Sequence, residues 1–232
     1  MTDSASPTAG DSGAYTGAVR PGGPSAVRTL PDLEIRKASV SEEDNNAYLL
    51  TDRATGAKLL IDAADSPQRL TELLAESSDG ALAAVVTTHQ HWDHHRALAE
   101  VVASTSAPTL AGAEDASALP VKPDRELRHG DRVEFGDLAL EVIHLRGHTP
   151  GSVALLFTSS DGSRHLFTGD SLFPGGPGKT WSAADFVSLM DDLEARVFGA
   201  LPDETWVYPG HGNDTTLGVE RPHLAEWRSR GW

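Results

Sequence analysis

At 232 residues with 39% hydrophobic side chains, the chain suits one large α/β domain with a real core. Its net charge of −15 disfavours nucleic acid as a partner, because the basic surface that a phosphate clamp requires is missing. With no cysteine, it forms no disulfide and has no thiol nucleophile.

Residues 1–30 are rich in Ala, Gly, Ser, Thr and Pro. They read as a flexible N-terminal extension whose second half approaches a sheet in extended form, with residues 31–232 forming the domain. No basic start followed by an apolar stretch marks a secretory signal, and no run is long enough to span a bilayer, so the expected location is the cytoplasm, with no membrane partner. Four lysines against fifteen arginines, with abundant Ala, Gly and Asp, suggest the coding bias of a GC-rich bacterium.

Leu33 to Arg36 alternates like an edge strand. Residues 46–50 and 58–61 flank a glycine turn at 53–56 and predict a hairpin, whose second strand ends at Asp62. Ser66 and Pro67 read as an N-cap and first helical residue, with Leu70, Leu73 and Leu74 on the buried face. Residues 82–86 (Leu-Ala-Ala-Val-Val) form a buried strand, and Leu98, Val101 and Val102 follow with helical spacing. Between them stands Thr-Thr-His-Gln-His-Trp-Asp-His-His. On an extended segment His89 and His91 point the same way, while Asp93 and His94 turn off as the helix begins. Neutral imidazole and carboxylate are ordinary zinc ligands, and packing does not explain four such groups at the end of a strand.

Residues 108–111 are a short strand, 115–119 a short helix, and 121–135 alternating turns and strands with His129 at the surface. Residues 138–145 are strand-like, with His144 packed on the strand, and lead into Gly147-His148-Thr149. Residues 153–157 and 165–168 form another hairpin, ending at Gly169-Asp170. The loop from Phe173 to Trp181 reads as rigid and irregular, and it lacks the glycine spacing of a phosphate-binding loop. Ser182 caps a helix whose stripe of Phe186, Leu189, Met190, Leu193 and Val197 is core. Residues 205–208 run as a strand into Pro209-Gly210-His211. A short terminal helix from about Glu220 carries Leu224, Trp227 and Trp232, suited to docking on the domain or on another copy. Three times, then, an apolar strand ends in a glycine turn holding one potential ligand.

These pieces together resemble the metallo-β-lactamase superfamily: His89-x-His91-x-Asp93-His94, then Gly147-His148-Thr149, Thr168-Gly169-Asp170 and Gly210-His211, in the family's order from about Asp32 to His211. The resemblance implies an αββα sandwich, two mixed sheets flanked by helices, with two divalent metal ions at one edge. Carried over position by position, His89, His91 and His148 would hold the first ion. Asp93, His94 and His211 would hold the second, with Asp170 bridging. Zinc is the foremost choice, and iron or manganese accepts the same ligand types. The missing cysteine argues against the subclass with a Cys ligand, and Asp170 favours the dinuclear hydrolases. In that family an Asp in the place of Asp62 supports the ligands from behind; the residue reads equally as a turn residue on the approach to the helix.

The segment Gly176-Pro177-Gly178-Lys179 resembles the Gly-x-Gly-Lys that glyoxalase II enzymes place beside their substrate, which makes Lys179 a candidate substrate contact, or else a plain surface lysine. Glyoxalase II carries a helical domain after its last His ligand that helps to bind glutathione. Here twenty-one residues follow His211, so the resemblance is to short glyoxalase II-like hydrolases. Their thiol carrier need not be glutathione, and in a GC-rich actinobacterium it could be mycothiol. The expected activity is metal-dependent hydrolysis of a small acyl thioester by a metal-bridged hydroxide, with Asp93 as a ligand that also orients or accepts the water proton. The alternatives are a persulfide dioxygenase, with one iron on His89, His148 and Asp170, and a lactonase or other ester hydrolase. A non-catalytic binding or structural module would leave the ligand set unexplained. Oligomeric state is open.

Overall fold

The computed structural model describes residues 15–77 and 79–231. The flexible start expected for residues 1–14, and Trp232, lie outside them. The first sheet is ordered in space as in sequence: β1 (Ala26–Thr29), β2 (Leu33–Ser39), β3 (Asn46–Asp52), β4 (Lys58–Ile61), β5 (Leu82–Thr87), β6 (Thr109–Gly112) and β7 (Arg125–Leu127). Strands β1 to β4 pair antiparallel through short connections. Strands β4 to β7 pair parallel. Parallel pairs need crossovers, and α1 (Pro67–Ala75) and α2 (Leu98–Thr105) supply two of them.

The second half builds the other sheet from β8 (Arg132–Phe135), β9 (Leu138–His144), β10 (Val153–Thr158) and β11 (Arg164–Gly169). A small hairpin of β12 (Leu172–Phe173) and β13 (Gly176–Pro177) follows. Next comes α3 (Ala183–Asp192), continuing as a wider helical turn over Leu193–Phe198. This crossover makes β14 (Trp206–Pro209) parallel to β11. Strand β15 (Thr215–Thr216) completes the order β15-β14-β11-β10-β9-β8, and α4 (Leu217–Glu220) and α5 (Leu224–Arg230) end the described chain.

Alternation along the strands explains the layering. Val86 on β5 joins Leu33, Ile35, Val142, Leu155 and Phe167 in the core between the sheets. Its neighbour Val85 faces the other way, against Leu70 and Leu73 of α1 and Leu98 and Val101 of α2. On the far face of the second sheet, Leu156, Leu166 and Val207 pack under Phe186, Leu189, Met190 and Trp227. The result is the expected αββα sandwich.

Local expectations need five corrections. Strand β2 is not an edge: β1, from the segment read as an extension, lies outside it, because Val27 and Arg28 pair with Arg36 and Ile35. Ser66 does not cap α1. It sits at φ 49 without a side-chain cap, and its amide donates instead to Asp65 Oδ1 at 2.6 Å. The helix does not begin at Asp93 and His94 but at Leu98, because a separate 3-10 turn, Trp92–His94, follows His91. The helix expected at 115–119 is likewise one 3-10 turn, Ala116–Ala118. The loop after Asp170 holds the β12–β13 hairpin. By contrast, Ser182 caps α3 as expected, accepting from the Asp185 amide at 3.1 Å. His129 is exposed. His144 donates to the Pro150 carbonyl at 2.8 Å and joins none of the groups of metal-type side chains.

Candidate metal centre

The C-terminal ends of parallel neighbours lie side by side, and both sheets use this at one edge. In the first, Asp62 follows β4 and the His89–His94 stretch follows β5. In the second, Asp170 follows β11 and His211 lies just beyond β14. The loop after β9 brings His148 to the same place. The packing is tight enough to dictate a residue type: a Cβ on Gly210 would lie 2.2 Å from Asp170 Oδ1 and 2.7 Å from His94 Cε1.

Four imidazoles turn their Nε2 inward because Nδ1 is committed behind them. His94 Nδ1 donates to Asp62 Oδ2 at 2.9 Å. His148 Nδ1 donates to the Lys179 carbonyl at 2.7 Å and His211 Nδ1 to the Glu43 carbonyl at 2.9 Å. Thr88 spends its hydroxyl proton on Asp62 Oδ2 at 2.8 Å, so it accepts from His89 Nδ1 at 3.0 Å. Asp62 thereby orients two rings, and its other oxygen holds the Thr88 amide at 2.7 Å.

The inward atoms form three clusters, His89/His91/His148, His89/His94/Asp170 and Asp93/His94/His211, with ligand atoms within 4.8 Å of one another in each. His89 Nε2 is 3.2 Å from His148 Nε2 and 3.1 Å from His91 Nδ1. His94 Nε2 is 3.2 Å from His211 Nε2. Asp170 Oδ2 lies 3.6 Å from His148 Nε2 and 3.5 Å from His211 Nε2, so this carboxylate faces both groups. Asp93 Oδ2 lies 3.3 Å from His211 Nε2 and accepts from Asn45 Nδ2 at 3.0 Å.

This donor set fits divalent cations. Nitrogens whose ring protons are used elsewhere confront each other lone pair to lone pair, which is repulsive unless positive charge lies between them. Ligands at zinc bonding distance around a tetrahedral ion stand about 3.3 Å apart, the spacing seen here. Asp170 Oδ1 is buried without a hydrogen-bond partner. The electrostatics agree. Burial and the neighbouring imidazoles hold His89 well below the ordinary histidine range. Burial likewise lowers His91 and His148. Burial disfavours charge on His94 and His211 too, but the carboxylates Asp170 and Asp62 around the first, and Asp93 and Asp170 around the second, outweigh it and raise both, so that without a cation among them these rings would themselves take up the protons. For Asp170 and Asp93 burial opposes ionisation, yet His94 for the first, and His211 with His94 for the second, hold both carboxyls below their usual range. The carboxylates call for positive charge at the centre.

All seven residues expected to ligate meet here. Lys179 is different. Its carbonyl positions His148, but its exposed side chain places Nζ 4.4 Å from the Trp181 ring centroid, outside the cluster. It borders a cavity of about 410 Å³ with Pro177, Gly178, Phe186 and Arg230. Sequence reasoning missed two supports. Asp115 is fully buried and accepts from the Gln90 amide at 2.9 Å, Thr149 Oγ1 at 2.6 Å and the Gly151 amide at 2.7 Å, tying the His89 and His148 loops together. Asn45 bridges to His211 through its backbone and to Asp93 through its amide. Neither carries a local signal, since an Asp before a short turn and an Asn in a loop are ordinary.

A sequence profile described as the metallo-beta-lactamase superfamily matches residues 40–211. The chain belongs to the metallo-β-lactamase superfamily. Within it, a hydroxyacylglutathione hydrolase of Fuscovulum blasticum is 38% identical over 171 residues, 73% of this chain and 63% of that protein. The chain thus spans less than two thirds of that curated relative's length. The crystal structure of ETHE1 from Myxococcus xanthus superposes with a TM-score of 0.69 at 35% identity, covering 82% of each chain. The crystal structure of TTHA1623 in a di-iron-bound form gives 0.62 at 33% identity and covers 80% of this chain and 96% of the other. Among the described residues no helix is long and apolar enough to cross a membrane.

Proposed function

We propose that the chain is a metal-dependent hydrolase of a small acyl thioester, glyoxalase II-like, with two divalent ions, zinc foremost. The observation that carries this reading is the convergence of five imidazoles and two carboxylates with their lone pairs turned inward. The hydroxyacylglutathione hydrolase named among the relatives supports the thioester class. Cations bound there would supply Lewis acidity, making water nucleophilic near neutral pH and drawing charge from a carbonyl.

The protein's own groups then do three things. His89, His94, His148 and His211 are presented in one tautomer by the acceptors behind them. Asp170 faces both ligand groups and spans them. Asp93, ionised and steadied by Asn45, is placed to orient or accept a water proton. No carboxyl at the centre is held protonated, and four of the five imidazoles have already committed Nδ1–H. A leaving group that departs without a proton suits such a site, and a thiolate does so where an amide nitrogen does not.

The test is turnover of an acyl-thiol panel by protein loaded with zinc, iron or manganese, with activity lost on chelation and restored by metal. No turnover of any thioester by fully loaded protein would refute the reading. Replacing Asp93→Asn should lower kcat by about 100-fold or more; full metal content with full turnover in that variant would remove Asp93 from catalysis. One iron per chain with oxygen consumption would instead favour the persulfide dioxygenase alternative, whose expected ligands His148 and Asp170 also lie 3.6 Å apart here.

A further inference from the structure

Lys37 projects from β2 and is fully buried. Its Nζ lies 2.6 Å from Asp214 Oδ1 and donates to the Gly212 carbonyl at 2.6 Å and the Gly17 carbonyl at 2.9 Å. Three acceptors use all three ammonium protons. Tyr15 closes the arrangement from outside, its hydroxyl donating to Asp214 Oδ2 at 2.7 Å. The fit leaves no room at residue 17: Gly17 has φ +68, and a Cβ there would meet Asp214 Oδ2 at 2.1 Å. Residues 15–17, ahead of the first strand, are therefore packed onto the turn that follows His211.

A buried ion pair is weak evidence for added stability, since an apolar pair of similar volume often serves as well. What it does provide is geometry. Lys37 holds the carbonyl one residue beyond His211, and Asn46 Nδ2 holds the same carbonyl at 3.0 Å. Among the described residues, the hydrogen bonds of Lys37, Asp214 and Tyr15 run to one another and to the Gly17 and Gly212 carbonyls, and none reaches the loops carrying His89, His91 and His148. The clamp acts on one side of the centre.

We propose that the Lys37–Asp214 pair, closed over by Tyr15 and Gly17, positions His211 and so sets how tightly the Asp93/His94/His211 group holds its ion. The segment before β1 is then part of the metal-site scaffold. This inference rests on the two-ion reading given above.

The experiment measures zinc per chain, and the affinity of each ion by competition with a chromophoric chelator, in the full chain and in Lys37→Met, Tyr15→Phe, His211→Ala and Lys58→Met. His211→Ala identifies which ion belongs to that position. Lys37→Met should weaken this same ion about 10- to 100-fold, the range found when groups behind metal ligands are changed, and leave the other ion untouched. Tyr15→Phe should act in the same direction and less. Lys58, also buried, donates to the Leu74 carbonyl at 2.9 Å from the start of β4, the end of that strand opposite Asp62, so its variant reports loss of a buried lysine alone and should shift neither ion. If Lys37→Met does not fold, the Lys37→Met/Asp214→Leu double variant, which removes both charges together, carries the same expectation. Wild-type affinities in the Lys37 and Tyr15 variants, or equal weakening of both ions, would overturn the proposal while leaving the hydrolase intact. A wild-type chain that binds a single ion would overturn it together with the two-ion reading.

Discussion

Asp62 shows how much one side chain can decide. It accepts from the Thr88 amide, the Thr88 hydroxyl and His94 Nδ1, and through Thr88 it also fixes His89. Replacing Asp62→Asn should weaken metal binding about 10- to 100-fold, measured by chelator competition, because two rings lose their preferred tautomer. Gly210 is decided by space. The Cβ of Gly210→Ala would press on Asp170 Oδ1 and His94 Cε1, and moving ligands by such distances should lower kcat about 100-fold with a much smaller change in melting temperature. His165 offers a test away from the metals. It is fully buried, its Nδ1 2.9 Å from the Tyr208 hydroxyl, and burial, helped by the Arg28 charge, pushes its pKa down to about 4. The unfolded chain then binds a proton at this position near pH 6.5 that the folded chain refuses. Stability should therefore fall as pH drops from 6.5 towards 4, by up to about 3 kcal/mol. Across that window the urea midpoint of metal-free His165→Gln should fall less than that of the metal-free wild-type chain, the remaining slope coming from the buried His89, His91 and His148.

Between elements, the question is what joins loops from different strands. Asp115 links the loop after β5 to the loop after β9 with three accepted hydrogen bonds. Asp115→Ala would leave buried donors unpaired and should destabilise the fold by about 2–4 kcal/mol in urea unfolding. Because His148 is held through that loop, the His89/His91/His148 group should lose affinity as well, which chelator competition would show. The glycine turns were readable one at a time, as Gly147-His148 and Gly210-His211 illustrate. The ties between them were not, because Asp115 is 25 residues from Gln90 and 34 from Thr149, and nothing in its local sequence names either partner.

Over the whole molecule, the centre joins two sheets that otherwise meet through their apolar core. A tightly bound ion should therefore stabilise the entire domain, by about 2.7 kcal/mol when its concentration is a hundredfold above Kd. Chelation should lower the melting temperature, and zinc should restore it in a concentration-dependent way. The sequence by itself determined the longer strands, the main flanking helices and the seven residues of metal-ligand type that come together, because apolar period, glycine turns and the His89–His94 spacing are local properties that short stretches carry intact. Only the tertiary structure decided that β2 is internal, that Asp115 and Asn45 are supports, and that Lys37 and Tyr15 reach the His211 turn. Those facts depend on which side chains the packed sheets bring within 3 Å of each other, and a buried polar group is given its meaning by the partner across the fold.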